Sequence, residues 1–113
     1  MHELSVTESI LGIVIEQAEQ AKAVKVSRVN LVIGELSGVV DECVEFYYNI
    51  ISKDTIAAGS ELVFTHPPTQ FRCRACRSVF TPEDQNWLCP ECGKRDYEII
   101  SGRDLHIESI EVE

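Results

Sequence analysis

Two cysteine pairs constrain this chain more than any other feature. Cys73-Arg-Ala-Cys76 and Cys89-Pro-Glu-Cys92 are separated by the twelve residues 77–88. Each C-x2-C wraps its backbone around one cation and offers two thiolates, so the pairs together make a tetrahedral S4 site suited to Zn²⁺. Protein then fills all four positions. A site closed in this way points to a structural metal, not a hydrolytic one. Gly93 follows its knuckle where a tight turn calls for positive φ. Phe71, Val79, Phe80, Trp87 and Leu88 are expected to pack around the knuckles. That is little apolar material, and a structural metal of this type contributes about 10–16 kcal/mol of apparent binding energy to folding. The same donor set suits iron in a small electron carrier, and the residues alone leave that alternative open. A thioredoxin-like role is disfavoured, because neither pair opens a helix in a βαβ pattern.

The chain of 113 residues suits one domain, or one domain with a small module. Its five cysteines are an odd number, which favours metal over disulfides in a reducing compartment. The start Met1-His2-Glu3 has no basic stretch followed by an apolar one, so no signal peptide is expected and the cytoplasm is the expected location. No apolar run approaches the roughly 20 residues of a membrane span. Ten basic residues stand against nineteen acidic ones, for a formal charge of −9. Nucleic-acid and anionic-membrane affinity come largely from Lys and Arg, so both are poor partners here. The charge is uneven: residues 1–68 carry −6, residues 69–95 carry +2 and residues 96–113 carry −5. Four thiolates around one divalent cation would cancel that +2, so Arg72, Arg74 and Arg77 read either as compensation for thiolate charge or as a solvated face.

Outside the cysteines the pattern is α-β-α-β-(module)-β. A helix is expected over 5–22, with Ser5 and Glu8 at capping-box spacing and Leu4, Leu11, Ala18, Thr7, Val14 and Ala21 on heptad spacing. Val26 to Ile33 alternates as a strand, with Val29, Leu31 and Ile33 on one side and Arg28 and Asn30 on the other. Asp41 is placed to cap a second helix over roughly 42–53. Val44, Tyr47, Tyr48 and Ile51 form one apolar side of it, and Cys43, Phe46 and Ile50 form another, so cover on two sides is expected. Cys43 accordingly reads as a buried structural thiol. Leu62 and Phe64 alternate in a short strand that Pro67-Pro68 must stop. Tyr97 to Val112 reads as extended, with a bulge or turn at Gly102.

Met1-His2-Glu3 carries a second possible metal chemistry. A free α-amine titrates near pH ~7.7–8.0 and so deprotonates at modest cost. With the His2 amide nitrogen and imidazole it forms fused chelate rings, the nitrogen-rich set that Ni²⁺ and Cu²⁺ favour. Glu3 adds a backbone nitrogen or a carboxylate. His66 reads as a strand-end residue and His106 as exposed. No phosphate loop, nucleophile elbow or acid–base pair is visible, so no enzyme is expected.

Taken together, Met1-His2-Glu3-Leu4-Ser5, the early amphipathic helix, the strand ending Ile33-Gly34-Glu35-Leu36-Ser37 and the two knuckles resemble the HypA/HybF family across essentially the whole chain. These are nickel metallochaperones of [NiFe]-hydrogenase maturation. The resemblance implies Ni(II) as cargo at Met1, His2 and Glu3, and Zn(II) at Cys73, Cys76, Cys89 and Cys92. It implies an α+β fold with two helices on a small three-stranded mixed sheet and an inserted zinc-ribbon-like module. Residues 1–68 and 96–113 would form the nickel domain and 69–95 the zinc module. The implied partners are a HypB-type GTPase and the hydrogenase large subunit, with urease maturation served in some members. The runner-up is a zinc-ribbon interaction module without metal delivery. The chain is expected to be a monomer or a homodimer.

Overall fold

The computed structural model describes residues 3–82 and 87–113. The chain packs as two compact units. One holds the stretch through Val32 together with Gly38–Thr65 and His106–Glu113, and the other holds Ile33–Ser37 with His66–Leu105. By packing, therefore, residues 33–37 and 96–105 group with the cysteines.

The first unit begins with helix α1 (Glu3–Gln20), whose buried stripe is Thr7, Ile10, Leu11, Val14 and Ala18. Of the heptad positions expected, Thr7, Leu11, Val14 and Ala18 lie in this stripe, whereas Leu4 and Ala21 at the ends are exposed. The expected capping box is absent, because Ser5 lies inside a helix already formed at Glu3. Buried Thr7 satisfies its hydroxyl by donating 2.6 Å to the Glu3 carbonyl one turn back. The helix stops at Lys22, which adopts φ 56. There the Ala23 N–H reaches the Ala18 carbonyl and the Lys22 N–H reaches that of Glu19, both at 3.0 Å, a Schellman closure with lysine where glycine is usual.

Strand β1 (Val26–Ile33) spans its predicted residues and holds the centre of a sheet ordered β2-β1-β6. Helix α2 (Asp41–Ile51) leads to β2 (Glu61–Thr65), which pairs parallel to β1 with Arg28 opposite Glu61 and Leu31 opposite Phe64. A parallel pair needs such a crossover, and α2 supplies it. On the other side lies β6 (Leu105–Val112). The reciprocal bonds between Lys25 and Glu113, with Ser27 Oγ on the Glu111 carbonyl, set an antiparallel register. The sheet is therefore mixed, as expected. Its buried side (Val29, Leu31) meets α1, Val44 and Tyr48. Its solvated side carries Arg28, bonded to Glu61 at 2.9 Å and Glu111 at 3.1 Å. The Tyr48 hydroxyl donates to Ser60 Oγ at 2.7 Å, because the Ser60 proton is already directed to the Ala57 carbonyl at 2.6 Å.

Two expectations for α2 fail. Asp41 is its first helical residue, and Val40 occupies the N-cap position with no side-chain cap bond. Only one side of α2 is covered: Val44 and Tyr48 are buried, whereas Cys43, Phe46 and Ile50 are exposed. Cys43 is thus no buried structural thiol. Spacing marks two apolar stripes on a helix but does not say which one the protein's own core covers.

In the second unit, β3 (Gln70–Cys73), β4 (Val79–Phe80) and β5 (Tyr97–Ser101) form an antiparallel sheet ordered β4-β3-β5. The extended stretch after Tyr97 is thus two strands with a break at 102–104. That break meets the turn after β1. The Gly34 N–H donates to the Asp104 carbonyl at 2.7 Å and the Leu36 N–H to the Gly102 carbonyl at 2.6 Å. A Cβ on Gly34 would collide with the carbonyl carbon and oxygen of Gly102, and one on Gly102 would press on Thr69. Gly34→Ala is therefore expected to cost about 1–3 kcal/mol or more, since only backbone can yield. Gly12→Ala, on the open face of α1 with nothing within 4 Å, should gain about 0.5–1 kcal/mol. Urea midpoints of the two variants read the contrast.

Candidate metal centre

Four thiols converge in the second unit. Every Sγ of Cys73, Cys76, Cys89 and Cys92 lies within 4.8 Å of the others, and no other cluster of three or more potential ligands occurs among the described residues. The shortest approaches run between knuckles: Cys73 to Cys92 at 3.5 Å and Cys76 to Cys89 at 3.6 Å. A tetrahedron with Zn–S near 2.3 Å has S···S edges of about 3.8 Å. The donor set therefore fits one tetrahedral thiophilic cation. Cys73 and Cys89 are buried, while Cys76 and Cys92 face solvent.

The two knuckles repeat one backbone pattern. In the first, the Cys73 N–H donates to the Ser78 carbonyl at 2.9 Å and the Arg77 N–H returns to the Cys73 carbonyl at 2.8 Å. In the second, the Cys89 N–H donates to the Lys94 carbonyl at 2.9 Å and the Gly93 N–H returns to the Cys89 carbonyl at 2.8 Å. The fifth residue of each turn is left-handed: Arg77 at φ 68 and Gly93 at φ 74. Sequence reasoning found Gly93 but missed Arg77, because nothing in an arginine announces positive φ.

The thiols are not equivalent. The Ser78 hydroxyl, and then the Ser78 backbone, hold Cys76 down at about 6. For Cys92 the Lys94 backbone acts in the lowering direction, but desolvation and the three neighbouring sulfurs carry it up to about 11. Four clustered thiols divide their protons unevenly until a cation replaces them.

Aromatic rings support the cluster. Phe71 stacks on Tyr97 at 4.2 Å between centroids and meets Trp87 and Phe80 edge-on at 5.3 and 5.6 Å. Of the five residues expected around the knuckles, Phe71 and Phe80 are buried and Trp87, though partly exposed, packs edge-on against Phe71, whereas Val79 and Leu88 are exposed. Tyr97 and Ile99 of β5 complete the cluster. Arg72 and Arg74 form ion pairs with Glu98 and Asp96, each at 3.2 Å.

Of the N-terminal residues, Met1 and His2 lie outside the described residues, and Glu3 opens α1. His66 follows β2, and its Nδ1–H donates 2.8 Å to the Ile33 carbonyl. A carbonyl only accepts, so the proton is on Nδ1. His106 lies exposed on β6.

The positive-φ turns make a paired prediction. Arg77→Gly should raise, and Gly93→Ala should lower, the thermal stability of the metal-loaded chain by about 1 kcal/mol each. Equal responses from both turns would deny the repeated geometry. Cys89→Ser should cost the chain its cysteine-bound metal, read by elemental analysis after gel filtration.

Comparison with known proteins supplies the context. The profile described as "HypA: Hydrogenase/urease nickel incorporation, metallochaperone" matches residues 1–112. A hydrogenase maturation factor HypA from Dehalococcoides mccartyi is 52% identical over 114 aligned positions, covering 100% of this chain and 95% of that one. That of Caldanaerobacter subterraneus subsp. tengcongensis is 45% identical with 100% of both chains covered. The fold resembles the solution structure of the Ni metallochaperone HypA from Helicobacter pylori, with TM-score 0.70, 24% identity and coverage of 99% and 97%. The chain therefore belongs to the HypA family of nickel-incorporation metallochaperones for hydrogenase and urease.

Proposed function

We propose that this chain carries Ni(II) bound at its N-terminus and helps deliver it to the [NiFe]-hydrogenase large subunit, working with a HypB-type GTPase in the cytoplasm. The proposed nickel ligands are the Met1 α-amine, the His2 amide nitrogen and imidazole, and Glu3. The observation that carries the reading is the match to the nickel-incorporation family over residues 1–112, which includes this tripeptide. The chemistry supports it: amine, amide and imidazole nitrogens make the strong-field planar set that Ni(II) favours. The site needs Met1 to bear a free amine.

Cys73, Cys76, Cys89 and Cys92 would hold Zn(II), which supplies a redox-inert crosslink between the knuckles. Protein donors occupy all four positions, so this site keeps its metal while the N-terminal one exchanges. One site for cargo and one for structure is the division that delivery requires. The protein on this reading is a carrier and not a catalyst. Urease maturation is a second possible destination, supported by the family description.

Nickel titration of tag-free chain beginning at Met1, beside a variant with one extra N-terminal residue, tests the cargo site. The unextended chain should bind a single Ni(II). The extended chain and His2→Ala should lose that affinity by at least about 100-fold, a contribution of about 2.7 kcal/mol, while zinc content stays constant. Equal nickel binding by all three would move the site to His66 or His106. Retained zinc with no nickel affinity in any of them would favour the zinc-ribbon interaction module.

A further inference from the structure

Helix α2 leaves apolar surface that its own unit does not cover. Phe46 is 61% and Ile50 49% exposed, and they lie one turn apart on the helix. Beside Phe46 runs an open groove of about 510 Å³ lined by Asp41, Glu42, Glu45, Phe46, Asn49 and Phe64. Its walls are two aromatic rings, one amide and three carboxylates, with no lysine or arginine among them. A smaller groove continues past Glu45 and Asn49 to Ser60, Glu61 and Leu62. Glu61 is already engaged by Arg28, but Glu42 and Glu45 have no ion-pair partner among the described residues.

Asp41 and Glu42 in the first turn favour their own helix through its dipole. That accounts for neither Glu45, a turn further on, nor the exposed Phe46. Aromatic side chains ringed by charge of one sign are the composition of a binding surface. The charge selects the occupant. A second copy would bring Glu42 and Glu45 against their own kind in a chain already at −9, and anionic lipid would be repelled in the same way.

We propose that the groove between α2 and β2 docks a partner-protein segment that presents lysine or arginine beside an apolar anchor. The anchor sits between Phe46 and Phe64, and the cations meet Glu42 and Glu45. The groove's lining residues include none of the proposed metal ligands, so its test does not depend on nickel.

The probe is a synthetic amphipathic Lys/Leu peptide, titrated into the ¹⁵N-labelled full chain and compared with its Glu/Leu counterpart. The cationic peptide should shift amides of 41–49 and 61–64, weaken with added salt, and leave the rest of the spectrum unmoved. The anionic peptide should shift nothing. Phe46→Ala should weaken binding about tenfold or more, and Glu42→Lys with Glu45→Lys should abolish it. If Phe46→Ala does not fold, the exposed pair Glu42→Gln and Glu45→Gln decides alone. No shifts at all, shifts spread over the whole acidic surface, or binding that survives the charge swap overturn the proposal. So does a chain that sediments as a dimer by itself and as a monomer after Phe46→Ala, which would make the patch a self-interface.

Discussion

The convergence of four thiols is the constraint on which the cysteine unit depends. Its sheet has strands of four, two and five residues, and its apolar cluster amounts to Phe71, Cys73, Phe80 and Cys89 with Tyr97 and Ile99 packed against them. So small a core cannot offset the conformational entropy of some forty residues. A cation held by Cys73, Cys76, Cys89 and Cys92 would reduce that entropy by crosslinking the segments on either side of the 77–88 link. Cys73 and Cys89 are themselves members of the apolar cluster, so a bound metal and the core would stabilise the same atoms.

The other unit needs no such help. Its centre is β1, flanked on both edges and covered by α1 and α2, with Val14, Val26, Val29, Val44 and Tyr48 fully buried. Polar groups inside it are satisfied locally, as in the chain from Tyr48 through Ser60 to Ala57. Among the described residues no buried side-chain nitrogen or oxygen lacks a hydrogen-bond partner.

Long, periodic elements and ligand spacing were legible in the sequence. The buried stripe of α1, the bounds of β1 and the four-cysteine set all follow from residue type at fixed intervals. What was not legible depends on partners distant along the chain. The start of α1 was misplaced because Ser5 and Glu8 have capping spacing inside a helix. Cys43 was misread because two apolar stripes on α2 look alike until one meets a core. β3, β4 and β5 were missed as a separate sheet because strands so short hold too little alternation to detect. Arg77 in a left-handed turn carried no signal at all, whereas Gly93 in the matching turn did.

The position of β1 between β2 and β6 also has a consequence for synthesis on the ribosome. β2 follows β1 closely and can pair as soon as α2 has formed. The other edge of β1 waits for β6 and for Glu113 just beyond it, whose carbonyl accepts from the amides of Val24 and Lys25. Until then an apolar strand has one edge open, and a long loop has yet to close. The cysteine unit emerges within that interval. Metal capture by Cys73, Cys76, Cys89 and Cys92 would shorten the effective loop before β6 arrives. Supply of that metal during translation, and not only afterwards, would then set how much of the nascent chain escapes aggregation.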